Sequence, residues 1–433
     1  MQDVQSGNGY WHDRRERRNM KKIRGNMLEV GVQSRGIIRE SAIETGYRKI
    51  KQAGITCVDY NIAKPKEEVG ELDITYYKKH QECAVKYGLK FSQVHAPIFK
   101  YESGNLDKEE YIIGEMKKSI AICSLLGSQY LVVHPLELAF EVGREREREI
   151  NLKYFGALAE EAIHKNIVIC IENMPFRKDG RVWEGACSDA DKTVEYIEIL
   201  NERAGEECFG ACFDVGHANI LGKNIKEEVR ILGKYLKVLH IHDNDGISDL
   251  HQLPYGFSGY KSGICTTDWS GFLLGLREIG FEGVLGFETY RSFTNYPGVL
   301  QDAVLKLIYR IGSNFARIIC FDEILEQMKM AGADVAKKRI LFGAGKMFDV
   351  YMEEFGDKYP PDFTVDNNTF LWGTVKQGVP IYSPGDILRI PDNERVVIIC
   401  NAYYEEIIEQ LEDMGINDYI LTEEILRMNG KPM

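Results

Sequence analysis

The stretch Val238–His251, VLHIHDNDGISDLH, places three histidines and three aspartates within fourteen residues. Imidazole and carboxylate are the side chains that hold a divalent metal ion. Val238 and Ile241 bracket His240, so the run reads as a short buried strand, and Asp243-Asn244-Asp245-Gly246 as the turn that ends it. Such a turn can aim several ligands at one point. A polar strand end whose histidines are satisfied by ordinary hydrogen bonds would look the same in isolation, so the weight falls on the rest of the chain.

Other apolar runs end in the same chemistry: His95 in QVHAPI, His134 in VVHP, Glu172 in ICIENMP, Asp214 and His217 in CFDVGHAN, and Glu288 in GFETY. The elements that must position them follow a rhythm. Strands are expected over 27–34, 55–62, 90–97, 128–134, 167–173, 209–215, 237–242 and 283–289. Helical patterns occupy 39–53, 75–88, 107–126, 145–165, 189–204, 223–236, 267–279 and 297–318. Strands alternating with helices of this length require parallel pairing, because each helix carries the chain back across the sheet. Eight such units predict an α/β fold of the (β/α)8 TIM-barrel type, with a doubly wound open sheet as the rival. In such barrels functional residues gather at the C-terminal ends of the strands. Here the third to the eighth strand each end in a metal-capable residue, which predicts a metal centre.

Glu172, Asp214, His240 and Glu288 belong to strands five to eight and would converge on one side of the barrel mouth. Three carboxylates and one imidazole make a mostly hard oxygen set, suited to Mn, Mg or Co. With one divalent cation the set carries a formal charge of about −1, which suits a neutral polyol or ketose. The cation would polarise a carbonyl and stabilise an enediolate while a carboxylate removes the proton from carbon. Glu172 and Glu288 are the expected pair for proton transfer on either face.

ENMP, FDVGHAN, HIHDNDG followed by DLH, and FETY together resemble the xylose-isomerase-like barrel superfamily, which contains sugar isomerases, ketose 3-epimerases, inosose dehydratases and endonuclease IV. The resemblance covers residues 27 to about 320 and implies a sugar, sugar phosphate or polyol isomerase or epimerase. It places Glu172, Asp214, His240 and Glu288 at the four metal-ligand positions of the epimerases, with Glu172 and Glu288 as acid and base. His217 matches a histidine that contacts substrate oxygen. His240 is preferred to His242 as ligand because Asp243, three places on, fits the family's seventh-strand pattern, although both histidines share strand parity. The resemblance to endonuclease IV implies a three-zinc site at His95, His134, Glu172, Asp214, His217, His240, Asp249, His251 and Glu288. Three divalent ions against four carboxylates would leave about +2, suited to a phosphodiester. A dehydratase or lyase, and a noncatalytic carbohydrate-binding module, are the remaining alternatives.

After a helical connector over 321–338, a second α/β pattern fills 339–433. Gly343-Ala344-Gly345 lies between a strand and a helix, where a phosphate could approach backbone N–H groups, and Asp366 follows Gly345 by 21 residues, where an acid could meet a ribose. Phe348 stands where the fingerprint's third glycine belongs, so the nucleotide signal is weak and a tight turn without a ligand is the preferred reading. FGAGK, VDNN and IIEQLEDMGI resemble the small Rossmann-like units attached to sugar-modifying enzymes; an interaction or dimerisation role is also compatible.

The 433 residues carry a net charge of −12, which argues against a nucleic-acid backbone as partner. Residues 1–26, with Arg14, Arg15, Arg17, Arg18, Lys21, Lys22 and Arg24, are expected to be a basic, flexible tail. Ten cysteines lack a CxxC pair or regular framework and read as buried thiols of a cytoplasmic protein. No apolar run is long enough to span a membrane. A small-molecule carbohydrate is the expected partner, and a homo-oligomer is compatible. Specificity is assigned to loops 99–108, 176–188 and 252–265, with Trp183, Tyr255, Phe257 and Tyr260 as pocket walls or loop packing, and Lys261 as a candidate phosphate contact. The run RERERE at 144–149 reads as a solvated helix face.

Overall fold

The computed structural model describes residues 28–62, 74–102, 104–178, 181–257, 267–320, 337–401, 403–416 and 419–421. The basic tail, most of the 321–338 connector, Tyr260 and Lys261 lie outside the described residues. The chain divides into two compact units, one holding Leu28–Ile319 and the other the C-terminal segment from Cys320.

The larger unit is an eight-stranded parallel barrel, nearly closed. Its strands are β1 (Val30–Gln33), β2 (Cys57–Asn61), β3 (Lys90–His95), β4 (Tyr130–Val133), β5 (Val168–Glu172), β6 (Phe209–Asp214), β7 (Leu236–His240) and β8 (Leu285–Phe287). Each pairs in parallel with the next from β1 to β7, and β8 pairs with β1. Between β7 and β8 a parallel bridge joins Ile241 to Phe287. Val, Ile, Leu, Phe and Cys dominate these strands because both faces are covered. Helices pack outside, started by Asn105, Asp189 and Asp268, whose side chains accept backbone N–H groups, and ended by Gly54, Gly127 and Gly205 at positive φ.

The interior is layered. Val132, Cys170, Cys212 and Val238 form one apolar floor across β4 to β7. Two residues further along the same strands stand His134, Glu172, Asp214 and His240, on the same face because side chains alternate. Sheet parity therefore lifts a polar layer onto an apolar one.

The expected helix over 145–165 is two helices, Arg144–Gly156 and Ala159–Lys165, broken at Ala157 and Leu158. RERERE forms the pairs Arg144–Glu147 (3.0 Å) and Arg146–Glu149 (2.8 Å), but Glu147 is buried, so the face is solvated only in part. Three further elements went unpredicted: a hairpin of Pro175–Lys178 with Arg181–Glu184 inside loop 176–188, and short helices Val215–Ile220 and Tyr290–Thr294. The nine described cysteines are all buried. No described helix is long and apolar enough to cross a membrane.

The C-terminal unit is a six-stranded sheet of β9 (Lys338–Phe342), β10 (Phe363–Val365), β11 (Val375–Lys376), β12 (Val379–Tyr382), β13 (Arg395–Ile399) and β14 (Tyr419–Leu421), ordered β11-β12-β10-β9-β13-β14. All neighbours are parallel except β11 with β12. Gly343 follows β9 at φ 121°, where a Cβ would sit 2.5 Å from the Cys400 carbonyl oxygen, so that turn requires glycine.

Candidate metal centre

The candidate residues on β3 to β8 meet at the C-terminal mouth of the barrel. Register explains how: Asp214 pairs with His240, and Glu172 with Cys212, two residues below Asp214. His240 is fully buried, and its Nδ1 lies 3.3 Å from Glu172 Oε1, 3.9 Å from Asp214 Oδ2 and 3.1 Å from Glu288 Oε2. The four residues read from the sequence as one ligand set are thus neighbours in space.

Two further groups flank them. His95 Nε2 and His134 Nε2 are 3.2 Å apart and lie 3.4 and 3.0 Å from the other oxygen of Glu172, Oε2. Asp249 Oδ2 faces His251 Nε2 at 3.1 Å and His217 Nε2 at 3.7 Å. Three of these histidines are oriented alike: Nδ1–H donates to a backbone carbonyl, Ala96 for His95 (2.7 Å), Asn173 for His217 (2.9 Å) and Glu288 for His251 (3.0 Å). That bond leaves Nε2 directed inward, the usual orientation of a ligating histidine. His251 also holds φ 47°, a conformation costly for a residue with a Cβ and common where a side chain is positioned for function.

Local structure does much of the positioning. Asp214 caps the helix that carries His217: its Oδ1 accepts the His217 N–H at 2.7 Å, and its Oδ2 accepts His242 Nε2–H at 3.0 Å. Asn173 clamps the ends of β5 and β6, donating to the Asp214 carbonyl (2.9 Å) and accepting the Asp214 N–H (2.6 Å). Asp243 accepts from Thr267, from Asn244 N–H and from Phe257 N–H, and so pins the loop after β7.

Sequence reasoning missed Gln33, Asp59 and Gln93, and ranked His242 below His240. Gln33 donates to Glu288 Oε1, and Asp59 lies 3.8 Å from His240 Nε2. The available signal was a lone polar residue at an inward position of β1, β2 or β3. His242 points into the same site, its ring stacked on His251 with centroids 4.2 Å apart. Gly216 makes room for it, since a Cβ there would lie 2.0 Å from His242 Cε1. Gly216→Ala is therefore expected to break the His242–Asp214 bond and to destabilise the protein by about 1–3 kcal/mol through overpacking. Chemical denaturation of the variant checks this, and an unchanged midpoint would refute it.

The electrostatics are those of a dense buried cluster. Burial alone would raise the Glu172 carboxyl, but His240 and His134 hold it well below the usual range. Asp214 is likewise lowered against burial by His217 and His242, and Glu288 by His240 and His251. Burial opposes charge on His217, yet Asp214 and Asp249 raise it to about 10. Glu288 and Asp249 raise His251 to about 9 against the same penalty.

The residues fit a divalent ion. Both oxygens of Glu172, both ring nitrogens of His240, Nδ1 of His242 and Oδ1 of Asp249 are buried without a hydrogen-bond partner. Leaving so many buried polar atoms unsatisfied is costly unless something else binds them. Ligand atoms of His95, His134 and Glu172, of His95, His240 and Glu288, and of Asp214, His217 and His242 lie within 4.8 Å of one another in each group.

Among the expected pocket walls, Trp183 on the hairpin faces Phe140 edge-on at 6.3 Å. Tyr255 instead meets the rings of Trp269 and Phe315 at 6.0 Å, so it packs on the barrel wall. In the C-terminal unit Gly343, Gly345 and Asp366 are close, but Asp366 Oδ2 accepts the Ala344 N–H at 2.8 Å and Lys376 Nζ donates to the Ala344 and Gly345 carbonyls. The turn's own groups thus engage the acid expected to meet a ribose.

A family model described as "Xylose isomerase-like TIM barrel" matches residues 47–307. An inosose isomerase of Bacillus velezensis is 25% identical over 193 residues, covering 43% of this chain and 63% of the relative, slightly under two thirds of its length. A probable endonuclease 4 of Staphylococcus epidermidis is 24% identical over 241 residues, covering 52% of this chain and 70% of the relative. Among solved structures, an L-ribulose 3-epimerase superposes with a TM-score of 0.53 at 15% identity, covering 69% of this chain and 98% of that one, a likeness of fold.

Proposed function

The chain belongs to the xylose isomerase-like TIM-barrel family, and from that premise we propose that it is a divalent-metal-dependent isomerase or epimerase acting on a sugar, sugar phosphate or polyol. One observation carries the reading: His240 Nδ1 stands 3.1–3.9 Å from carboxylate oxygens of Glu172, Asp214 and Glu288. A divalent ion held by those four residues would supply Lewis acidity toward adjacent substrate oxygens. Glu172 and Glu288 do the proton work. Both are held below the usual carboxylate range, so each is ionised at neutral pH and able to accept a proton from carbon. The amide of Gln33 fixes Glu288 Oε1 and leaves Oε2 facing His240.

A second reading, phosphodiester hydrolysis at several zinc ions, is favoured by the division of Glu172: Oε2 faces His95 and His134 while Oε1 faces His240. The strand order of the C-terminal unit supports a small Rossmann-like domain, and the Asp366–Ala344 bond favours a tight turn over a nucleotide site.

Elemental analysis of protein purified without chelator separates the readings. One Mn, Mg or Co per chain, with solvent deuterium appearing on carbon when ketoses are incubated in D₂O, is the expected result. Glu288→Gln should lower that exchange by about 10²–10⁴-fold. Two or three Zn per chain without exchange would overturn the isomerase reading.

A further inference from the structure

Beyond the ligand layer, β8 and β1 run side by side toward the mouth, with Val32 opposite Phe287. Continuing that pairing, Gln33 meets Glu288, and two residues further Arg35 meets Tyr290: the Arg35 Cζ lies 4.2 Å from the centre of the Tyr290 ring. The Tyr290 ring is in turn 4.8 Å from that of His251. Arg291, the next residue, joins them, its Nε donating to the Tyr290 hydroxyl at 3.3 Å.

Arg35 is held there by its backbone. Ile37 N–H donates to the Ser34 carbonyl at 3.1 Å, closing a turn with Gly36 at φ 76°. A Cβ on Gly36 would lie 2.5 Å from Thr294 Cγ2, so the turn sits tightly against the helix that carries Tyr290 and Arg291. Ser34 is anchored at both ends, its N–H to the Asp59 carbonyl and its Oγ accepting the Asn61 N–H. Arg35 and Arg291 are both exposed at the rim, and among the described residues neither makes an ion pair. A guanidinium stacked on an aromatic ring still presents its planar N–H fork, the geometry that grips a phosphate through two hydrogen bonds. The Tyr290 ring is the link to the ligand layer: it lies against His251, whose Nδ1 is 3.8 Å from Glu288 Oε2, so the fork stands one aromatic ring beyond the residues around Glu288. A sugar's terminal phosphate is likewise set back from its reacting carbons.

We propose that Arg35, stacked on Tyr290 and assisted by Arg291, forms a subsite for a phosphate monoester, so that the substrate is a phosphorylated sugar whose anionic end lies away from Glu288. This rests on the isomerase reading for the sugar, but not for the anion.

Calorimetric titration of the metal-loaded full chain tests it, with inorganic phosphate, ribulose and ribulose 5-phosphate as probes. Wild type should bind inorganic phosphate, and Arg35→Ala should weaken that binding about tenfold to a hundredfold, the range for a lost charge-assisted contact. Arg35→Lys should recover only part, because it keeps charge without the fork. The preference for ribulose 5-phosphate over ribulose should shrink in both variants. Absence of phosphate binding, or equal binding by wild type and Arg35→Ala, would overturn the subsite. Arg35-dependent phosphate binding without deuterium exchange on any ketose would leave the subsite standing and sink the isomerase reading alone.

Discussion

Glu172→Gln is expected to lower metal affinity by at least about a hundredfold and activity by at least about a thousandfold, the largest effect of any single change at the site. The side chain is 1% exposed, and the substitution preserves shape, so no cavity accompanies it. What changes is one oxygen. Oε1 faces His240 and His217, and Oε2 faces His134 and His95. An amide has a single acceptor oxygen, so one of those two sides must meet an NH₂ group that cannot ligate a cation. The buried histidines also lose the negative charge that favours their protonated forms, and breaking such a pair costs about 3–5 kcal/mol in the metal-free protein. Asp249→Asn provides the contrast, because Asp249 touches only the His217 and His251 side of the site and His242. With a single ion on the four-residue set, Asp249→Asn keeps its metal while Glu172→Gln loses it. Elemental analysis and chelator competition on both variants decide the matter. Wild-type stoichiometry and affinity in Glu172→Gln would remove Glu172 from the metal site altogether.

The barrel was legible because its signals repeat. Each strand is an apolar run of similar length, and six of the eight end in a residue that is expensive to bury without a partner. His134, Glu172, Asp214 and His240 could be aligned from parity alone, since an apolar residue stands two places before each. Gln33 and Asp59 escaped notice because they do not end in imidazole or a paired motif, and their role depends on closure of β8 against β1, which no local pattern encodes. His242 was seen but left unassigned. Its place depends on the absence of a side chain at Gly216, 26 residues earlier in the sequence. The break at Ala157–Leu158 was hidden for a different reason: its one local mark is Gly156, an isolated glycine of the kind a helix tolerates, and the Ala and Leu after it are both strong helix formers. The subdivision of the site into three ligand groups is likewise a matter of which oxygen of Glu172 faces which imidazole, a detail of rotamers below the resolution of spacing.

Metal-free protein is expected to lose stability as pH rises from neutral to about 10. His217 and His251 are raised from an ordinary 6.5 to about 10 and about 9 by neighbouring carboxylates, against the opposing effect of burial. A group raised in the folded state contributes its full stabilisation below its unfolded value and loses it as pH climbs through the folded one. For His251 alone the interaction is worth roughly 3 kcal/mol, and Asp249, held far below its usual value by the same histidines, is the other side of that interaction and adds nothing separate in this window. On the acid side the sign reverses: the lowered carboxylates Asp214, Asp249 and Glu288 stabilise above their unfolded values and lose that contribution on acidification. Metal loading then discriminates. An ion on Glu172, Asp214, His240 and Glu288 leaves His217 and His251 free to stay protonated, so the alkaline decline persists, moved to lower pH by the ion's charge. Ions on the His217–Asp249–His251 group require neutral imidazoles, which abolishes the decline and releases protons on binding. Thermal midpoints measured from pH 6 to 10, with chelator and with saturating metal, read out both. A flat metal-free profile over that range would mean that these histidines are not held protonated by their carboxylates.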